Sequence, residues 1–362
     1  NMIQALLYLC LLIPQQAGQP TQPTLSPDAA ASLQSGLDAE NRNDLDQAIA
    51  AFRKAADLAP SSNDILLHLG DAYMKKHDYA GAIAPLKRAV ELNPDSLQAH
   101  QLLGYALLAE GYASQAIPHL KMVQADGALG IAELQAGQPA EAVANLQAAL
   151  TKSPDDPNLL FYLSRASSAL SEESSDKLLA TSPDSARAHQ VRGQADYGLK
   201  IFPNAEKEYQ RAIALRPDLP GLRLELGRVF AAESEWEKAA EQFRAEAKLQ
   251  PGNAEAAYRL GDALLQLGKM KEAEAELQRS DSLRPDMPET LYALGRAAAA
   301  NDPNVAEHAF TRVIELEKGT SLAAQAYLAL AGVHRRQGKP EQAAHDLQEY
   351  RRIQDLAAHP HD

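Results

Sequence analysis

Small and large apolar positions recur along this chain at a near-fixed interval. A Gly is followed twelve residues on by an Ala, four later by an aromatic residue or Leu, and eight after that by a Pro. Gly70, Ala82, Leu86 and Pro94 form one copy, and Gly193, Ala205, Tyr209 and Pro217 another. Gly227, Ala239, Phe243 and Pro251 form a third, and Gly261, Ala273, Leu277 and Pro285 a fourth. Successive glycines are 34 residues apart: Gly36, Gly70 and Gly104, then Gly193, Gly227, Gly261 and Gly295. Within one interval Leu66, Leu69, Gly70 and Tyr73 keep helical spacing, Lys76-His77-Asp78 makes a turn, and Ala82, Leu86 and Ala89 share one face of a second helix. The glycine lets the second helix approach where any side chain would clash. Asn93-Pro94-Asp95-Ser96 stops that helix and caps its successor. The same stop recurs at Ser153-Pro154-Asp155-Asp156, Ser182-Pro183-Asp184-Ser185, Arg216-Pro217-Asp218 and Arg284-Pro285-Asp286. A period of this size marks a solenoid, in which each unit stacks only on its neighbours.

These residues resemble the tetratricopeptide repeat family over about residues 29 to 357. Ten units are counted, starting near residues 29, 63, 97, 123, 157, 186, 220, 254, 288 and 324. The aromatic at the start of the second helix is Tyr79, Phe202 or Trp236. The resemblance implies an all-α fold, a right-handed superhelical solenoid of antiparallel helix pairs with first helices lining the concave side.

The spacing is uneven in the middle. Gly104 to Gly130 is 26 residues rather than 34, and the fifth unit, 157–185, is short and holds Ser164 where Gly is expected. Its second half is crowded with Ser171-Glu172-Glu173-Ser174-Ser175-Asp176. The expected organisation is an N-terminal repeat region 29–122, an irregular region 123–185, a C-terminal repeat region 186–357 and a tail 358–362. The irregular region reads either as trimmed loops or as a hinge.

The first residues differ from the rest. Residues 1–17 carry no charge and include an apolar run from Met2 to Ile13, broken by Pro14. That run is short for a bilayer span and reads as a secretory signal peptide, with an uncleaved anchor as the alternative. No Lys or Arg precedes it, and the segment opens on Asn1, so the natural start is expected upstream. Bulky Leu7-Tyr8-Leu9 argue against lipid attachment at Cys10, the single cysteine. Residues 18–28 read as a linker, with Ser26 capping the first helix and Pro27 at its first position. The expected location is periplasmic or secreted, with no transmembrane span in the mature chain.

Charge narrows the partners. The net charge is -13 and no basic block is present, which disfavours nucleic acid and anionic lipid. No His-Glu-x-x-His pair, phosphate loop, nucleophile elbow or dinucleotide fingerprint occurs. No enzyme activity, cofactor or metal is therefore expected. His68, His77 and His100 fall in different units, and the acid pairs Asp155-Asp156 and Glu172-Glu173 are read as helix-start charges.

Candidate binding residues follow from the resemblance, which implies ligand contacts at fixed places of each first helix. They are Tyr105, Phe161, Arg165, Arg187, Gln190, Tyr197, Arg228, Tyr258, Tyr292, Arg296, Arg335 and Arg336. Arg forks onto carboxylates and Tyr gives rigid contact area, so a peptide or protein partner with acidic segments is expected. The competing reading pairs the Arg residues with Glu225, Glu255 and Glu289 on the same face. The family's carboxylate clamp is missing, because Leu33 and Leu37 stand where Lys and Asn are wanted. The expected function is a non-catalytic interaction scaffold in a bacterial envelope. Alternatives are a carbohydrate-binding accessory of an envelope enzyme complex, with Tyr197, Tyr258 and Tyr292 stacking on sugars, and self-association end to end.

Overall fold

The computed structural model describes residues 25–358, and these form nineteen α-helices without a strand among the described residues. The signal-like segment and most of the linker lie outside them. The chain divides at residues 174 and 175 into two compact units.

In the first unit the helices pair as α1 (Pro27–Asn41) with α2 (Leu45–Leu58), and α3 (Asn63–Lys75) with α4 (Tyr79–Leu92). Next come α5 (Leu97–Ala109) with α6 (Ala113–Met122), and α7 (Asp126–Gln135) with α8 (Pro139–Lys152). Helix α9 (Pro157–Thr181) follows and crosses the division. The second unit continues with α10 (Ala186–Gly198) and α11 (Phe202–Leu215), α12 (Leu222–Ala232) and α13 (Trp236–Leu249), and α14 (Ala254–Gln266) and α15 (Met270–Leu283). It ends with α16 (Pro288–Ala298) and α17 (Pro303–Leu316), then α18 (Ser321–Arg336) and α19 (Pro340–Ala358). Within each unit every second helix also packs on the first helix of the next pair. First helices touch one another between neighbouring repeats, as α3 does α5 and α14 does α16.

In every pair but the last, α18/α19, a glycine of the first helix faces a large residue of its partner helix. A Cβ on Gly70 would lie 2.3 Å from Leu86 Cδ2, one on Gly227 2.5 Å from Phe243 Cε1, and one on Gly295 2.6 Å from Phe310 Cε1. Those large side chains are almost fully buried. Each contributes about 1.5–3 kcal/mol by leaving water. Some helix starts carry the expected side-chain cap, but those after Pro217 and Pro285 do not: α12 and α16 follow Gly221 and Met287 without one, and Asp218 and Asp286 pair with Arg216 and Arg312 instead. Ser26, Ser96, Ser185, Asn253 and Thr320 each accept the backbone N–H three residues on.

Eight of the nine turns inside pairs place one residue in the left-handed region. Four of these are Gly111, Gly137, Gly268 and Gly338, and the others are Asn43, His77, Lys200 and Ser234. The following N–H then returns to a carbonyl five residues back, as Asp78 N–H donates to Tyr73 O at 2.9 Å and Lys269 N–H to Leu264 O at 2.9 Å. This closes the first helix and starts the second.

One expected unit is different. Residues 157–181 form a single 25-residue helix, so the described residues hold nine helix pairs and one unpaired helix rather than ten pairs. The cause is local. Ser164 replaces the glycine, Ala180 stands sixteen residues on where a large side chain would seal the crossing, and no Gly or Pro interrupts the span. Nothing holds a second helix against the first, so the first continues. Glu172 and Glu173 consequently sit inside α9 rather than at a helix start. Asp156 does cap α9, accepting from Asn158 N–H at 2.8 Å. Only Leu159 and Ala166 of α9 are buried, and both join the core of the first unit.

Candidate functional site

The expected binding residues occupy three kinds of position. Tyr105 is one correction: it is 4 % exposed and belongs to the core of the first unit. Helix α5 is apolar around most of its circumference, from Leu102 to Leu108, so packing covers its would-be outer face. Arg336 is another. Its Nη2 donates to Ala299 O at 3.0 Å, satisfying a carbonyl at the end of α16, so this guanidinium links repeats. Arg187 hydrogen-bonds Gln190 one turn on along α10, and the two satisfy each other.

Phe161 and Arg165 do lie together on the surface of α9 within the first unit. Phe161 is 55 % exposed, meets Tyr162 edge-on with centroids 5.4 Å apart, and carries Arg165 over its ring at 6.0 Å.

The remaining residues form a ladder on the first helices of the second unit. At its start Tyr197 of α10 leans on Phe202, with centroids 5.7 Å apart, and Arg228 of α12 lies over the Tyr197 ring at 5.5 Å. Arg228 Nη1 is 3.4 Å from both carboxylate oxygens of Glu225. Burial pushes the Glu225 carboxyl up, Arg228 opposes this, and Glu255 adds to it. On α14, Arg259 lies over Tyr258 at 5.5 Å and reaches Glu255 at 3.5 Å. Tyr258 is half-buried, and that burial raises its phenol above the ordinary value. Asp262, Glu289 and Arg296 are among the charges acting on it. On α16 Tyr292 packs against Phe310 at 5.8 Å, and Arg296 projects outward. The guanidinium groups of Arg296 and Arg335 have no hydrogen bond or ion pair among the described residues.

The pairing of Arg with acids is therefore real for Arg228 and Arg259 and absent for Arg296 and Arg335. The fixed places missed Arg259 and Tyr209, whereas Glu225 was already expected as an acid partner of Arg. The available signal for Tyr209 was chemical: a hydroxyl at a motif position that elsewhere holds Phe or Leu. No group of three or more metal-ligating side chains is assembled among the described residues, and no described helix is long and apolar enough to cross a membrane.

Matches to the tetratricopeptide repeat cover residues 33–96, 69–127, 224–288 and 291–358, and a second tetratricopeptide form matches 123–166. The chain belongs to the tetratricopeptide repeat family. Residues 167–223 fall outside these matches, and they include the unsplit half of α9 and the Tyr209 repeat. Comparison with curated proteins returns no match. Among solved structures, the chain is similar to YrrB, described as a tetratricopeptide protein with an unusual peptide-binding site. That likeness has 21% identity, a TM-score of 0.46 and coverage of 51% of this chain and 96% of that one. MamA from Desulfovibrio magneticus RS-1 gives 18% identity and a TM-score of 0.44 over 47% of this chain and 95% of its own. Cut9, in a complex with Hcn1, gives 15% and 0.43 over 90% of this chain and 87% of its own. Values of this size do not bear on function.

Proposed function

We propose that this tetratricopeptide chain is a non-catalytic scaffold whose first-helix face in residues 186–336 receives a peptide or protein segment. The observation that supports it most is the pair Tyr258 and Tyr292. They stand 34 residues apart at equivalent places on successive first helices, half-buried, with Arg296 beside them and unspent. Fixed aromatic surface next to an available guanidinium is the chemistry of an interface anchor. A segment bound there crosses successive first helices and takes a few contacts from each, and its carboxylates go to Arg296 and Arg335. Crosslinking in intact cells with mass spectrometry identifies the partner. The variant Arg296→Ala with Arg335→Ala should then lose about tenfold in affinity at 50 mM salt and much less at 500 mM, because exposed charge pairs are screened. Salt-insensitive binding that survives both substitutions would refute the anchor assignment.

Export to the envelope or beyond forms part of the same proposal and rests on residues 1–17 alone. Fusion of those residues to a reporter active only outside the cytoplasm tests it. A reporter that stays silent ends that part.

Self-association is a second reading, favoured by the outer side of α19. Ala344, Leu347 and Leu356 there line an open cavity of about 710 Å³ with Arg351, Arg352 and Asp355 on its rim. Light scattering at two concentrations discriminates, since a monomer at both rules it out.

A further inference from the structure

Among the described residues α9 is the helix that no second helix of its own repeat covers. Its inward side is set by Leu159 and Ala166, both buried in the core of the first unit. At about 100° per residue the opposite side carries Phe161, Ser164, Arg165, Ser168 and Glu172, and every one of these is exposed. They lie in the part of α9 that belongs to the first unit. Phe161 is 55 % exposed, and Leu160 beside it 48 %. Arg165 rests over the Phe161 ring. Neither Arg165 nor Glu172 makes an ion pair among the described residues. Ser168 Oγ donates to Ser164 O at 3.1 Å, so this hydroxyl is satisfied within the helix and loses no hydrogen bond when covered.

Arg165 and Glu172 are opposite charges two helical turns apart on one stripe. A helix with that pattern is complementary to itself. When two copies cross antiparallel about a two-fold axis beside Ser168, Arg165 of each faces Glu172 of the other, and both pairs form together. Serine at the crossing is small, so the helix axes approach to about 8 Å and the charged ends meet. Phe161 then leaves water against the opposite helix. A parallel crossing would set Arg165 against Arg165. A purely acidic segment would satisfy Arg165 and be repelled by Glu172, and a basic one the reverse. We propose that this stripe of α9 is a dimer contact, occupied by the same stripe of a second copy. It involves neither the first-helix face of residues 186–336 nor the outer side of α19. One helix crossing is smaller than the roughly 1,200 Å² of a standard interface, so the dimer is weak, with a Kd on the order of 10–100 µM at low salt.

Sedimentation equilibrium of the full chain tests this. The unsubstituted chain should shift from monomer toward dimer between about 1 and 200 µM, and less so as salt rises. Arg165→Glu and Glu172→Arg should each weaken association about tenfold or more, because each turns two attractive pairs into two repulsive ones. An equimolar mixture of these two variants should dimerise, since one chain then carries acids at both places and the other bases. Phe161→Ala should weaken the dimer as well. All these positions are exposed, so circular dichroism should show the fold intact in each variant. A chain that stays monomeric at about 200 µM overturns the proposal. So does a dimer unchanged by Arg165→Glu, or a mixture that stays monomeric. A dimer that survives Arg165→Glu and is lost in Leu356→Asp belongs to α19 and overturns it equally.

Discussion

Gly227→Ala tests the contact on which the repeat packing depends. A methyl group there would sit 2.5 Å from Phe243 Cε1, 2.7 Å from Cδ1 and 3.0 Å from Cζ. Ordinary carbon contacts lie near 3.5–4.0 Å, so three ring atoms are overlapped at once, by about 0.5–1 Å even against the shorter limit. Phe243 is 1 % exposed and packed on all sides, so the strain passes into the α12–α13 crossing. Overpacking of this kind costs about 1–3 kcal/mol. Alanine recovers about 1 kcal/mol of helix propensity over glycine, leaving a net loss of up to about 2 kcal/mol. Gly332 in α18 supplies the control, because its nearest foreign atom is Arg336 Nη1 at 3.9 Å. Gly332→Ala should stabilise by the propensity gain alone, about 1 kcal/mol. The assay is urea unfolding followed by the fluorescence of Trp236, the single tryptophan, which opens α13 in the same repeat. Circular dichroism on the same samples reports both units. In a Phe243→Ala background the sign should reverse, since the clash is gone and the propensity gain remains. If Gly227→Ala raises the midpoint as Gly332→Ala does, the close-approach account of the 34-residue spacing is refuted.

Two further outcomes follow from local geometry. Lys200 adopts φ of 59° in its turn, where a side chain costs about 1–2 kcal/mol, so Lys200→Gly should raise the thermal midpoint of the second unit. A lowered midpoint would mean that the Lys200 side chain is needed there. His119 accompanies His100, with Nδ1 atoms 2.8 Å apart, and burial, His100 and Lys87 hold its folded pKa below the ordinary 6.5. The folded state thus favours neutral imidazole. Its contribution is complete above pH 6.5 and is lost as pH falls through the lowered value. The stability of the first unit, followed by hydrogen exchange between pH 7.5 and 5, should fall toward acid, and His119→Gln should flatten that slope. An unchanged slope in the variant would remove His119 as the cause.

The candidate site was legible only in outline. Tyr197, Tyr258 and Tyr292 were expected on the first-helix face and are half-buried on first helices. The fate of each arginine was not legible. Whether Arg228 finds Glu225, or Arg336 reaches a carbonyl 37 residues earlier, depends on rotamers and on the approach of the neighbouring repeat. The buried pair His334 with Asp346 at 2.7 Å and the partly buried pair His189 with Glu208 at 2.6 Å were equally hidden, because each joins two helices whose rotation is set by packing.

By itself the sequence determined where helices begin, stop and cross. Those properties are local: a serine caps the next turn, a proline ends a helix, and a glycine and a large residue sixteen places apart meet inside one pair. Tertiary structure alone decided that Tyr105 is core and that the Tyr209 hydroxyl is sealed in without a partner. Each depends on which neighbouring surface arrives, and at what distance, to cover a side chain. A spacing rule read within one repeat does not contain that distance.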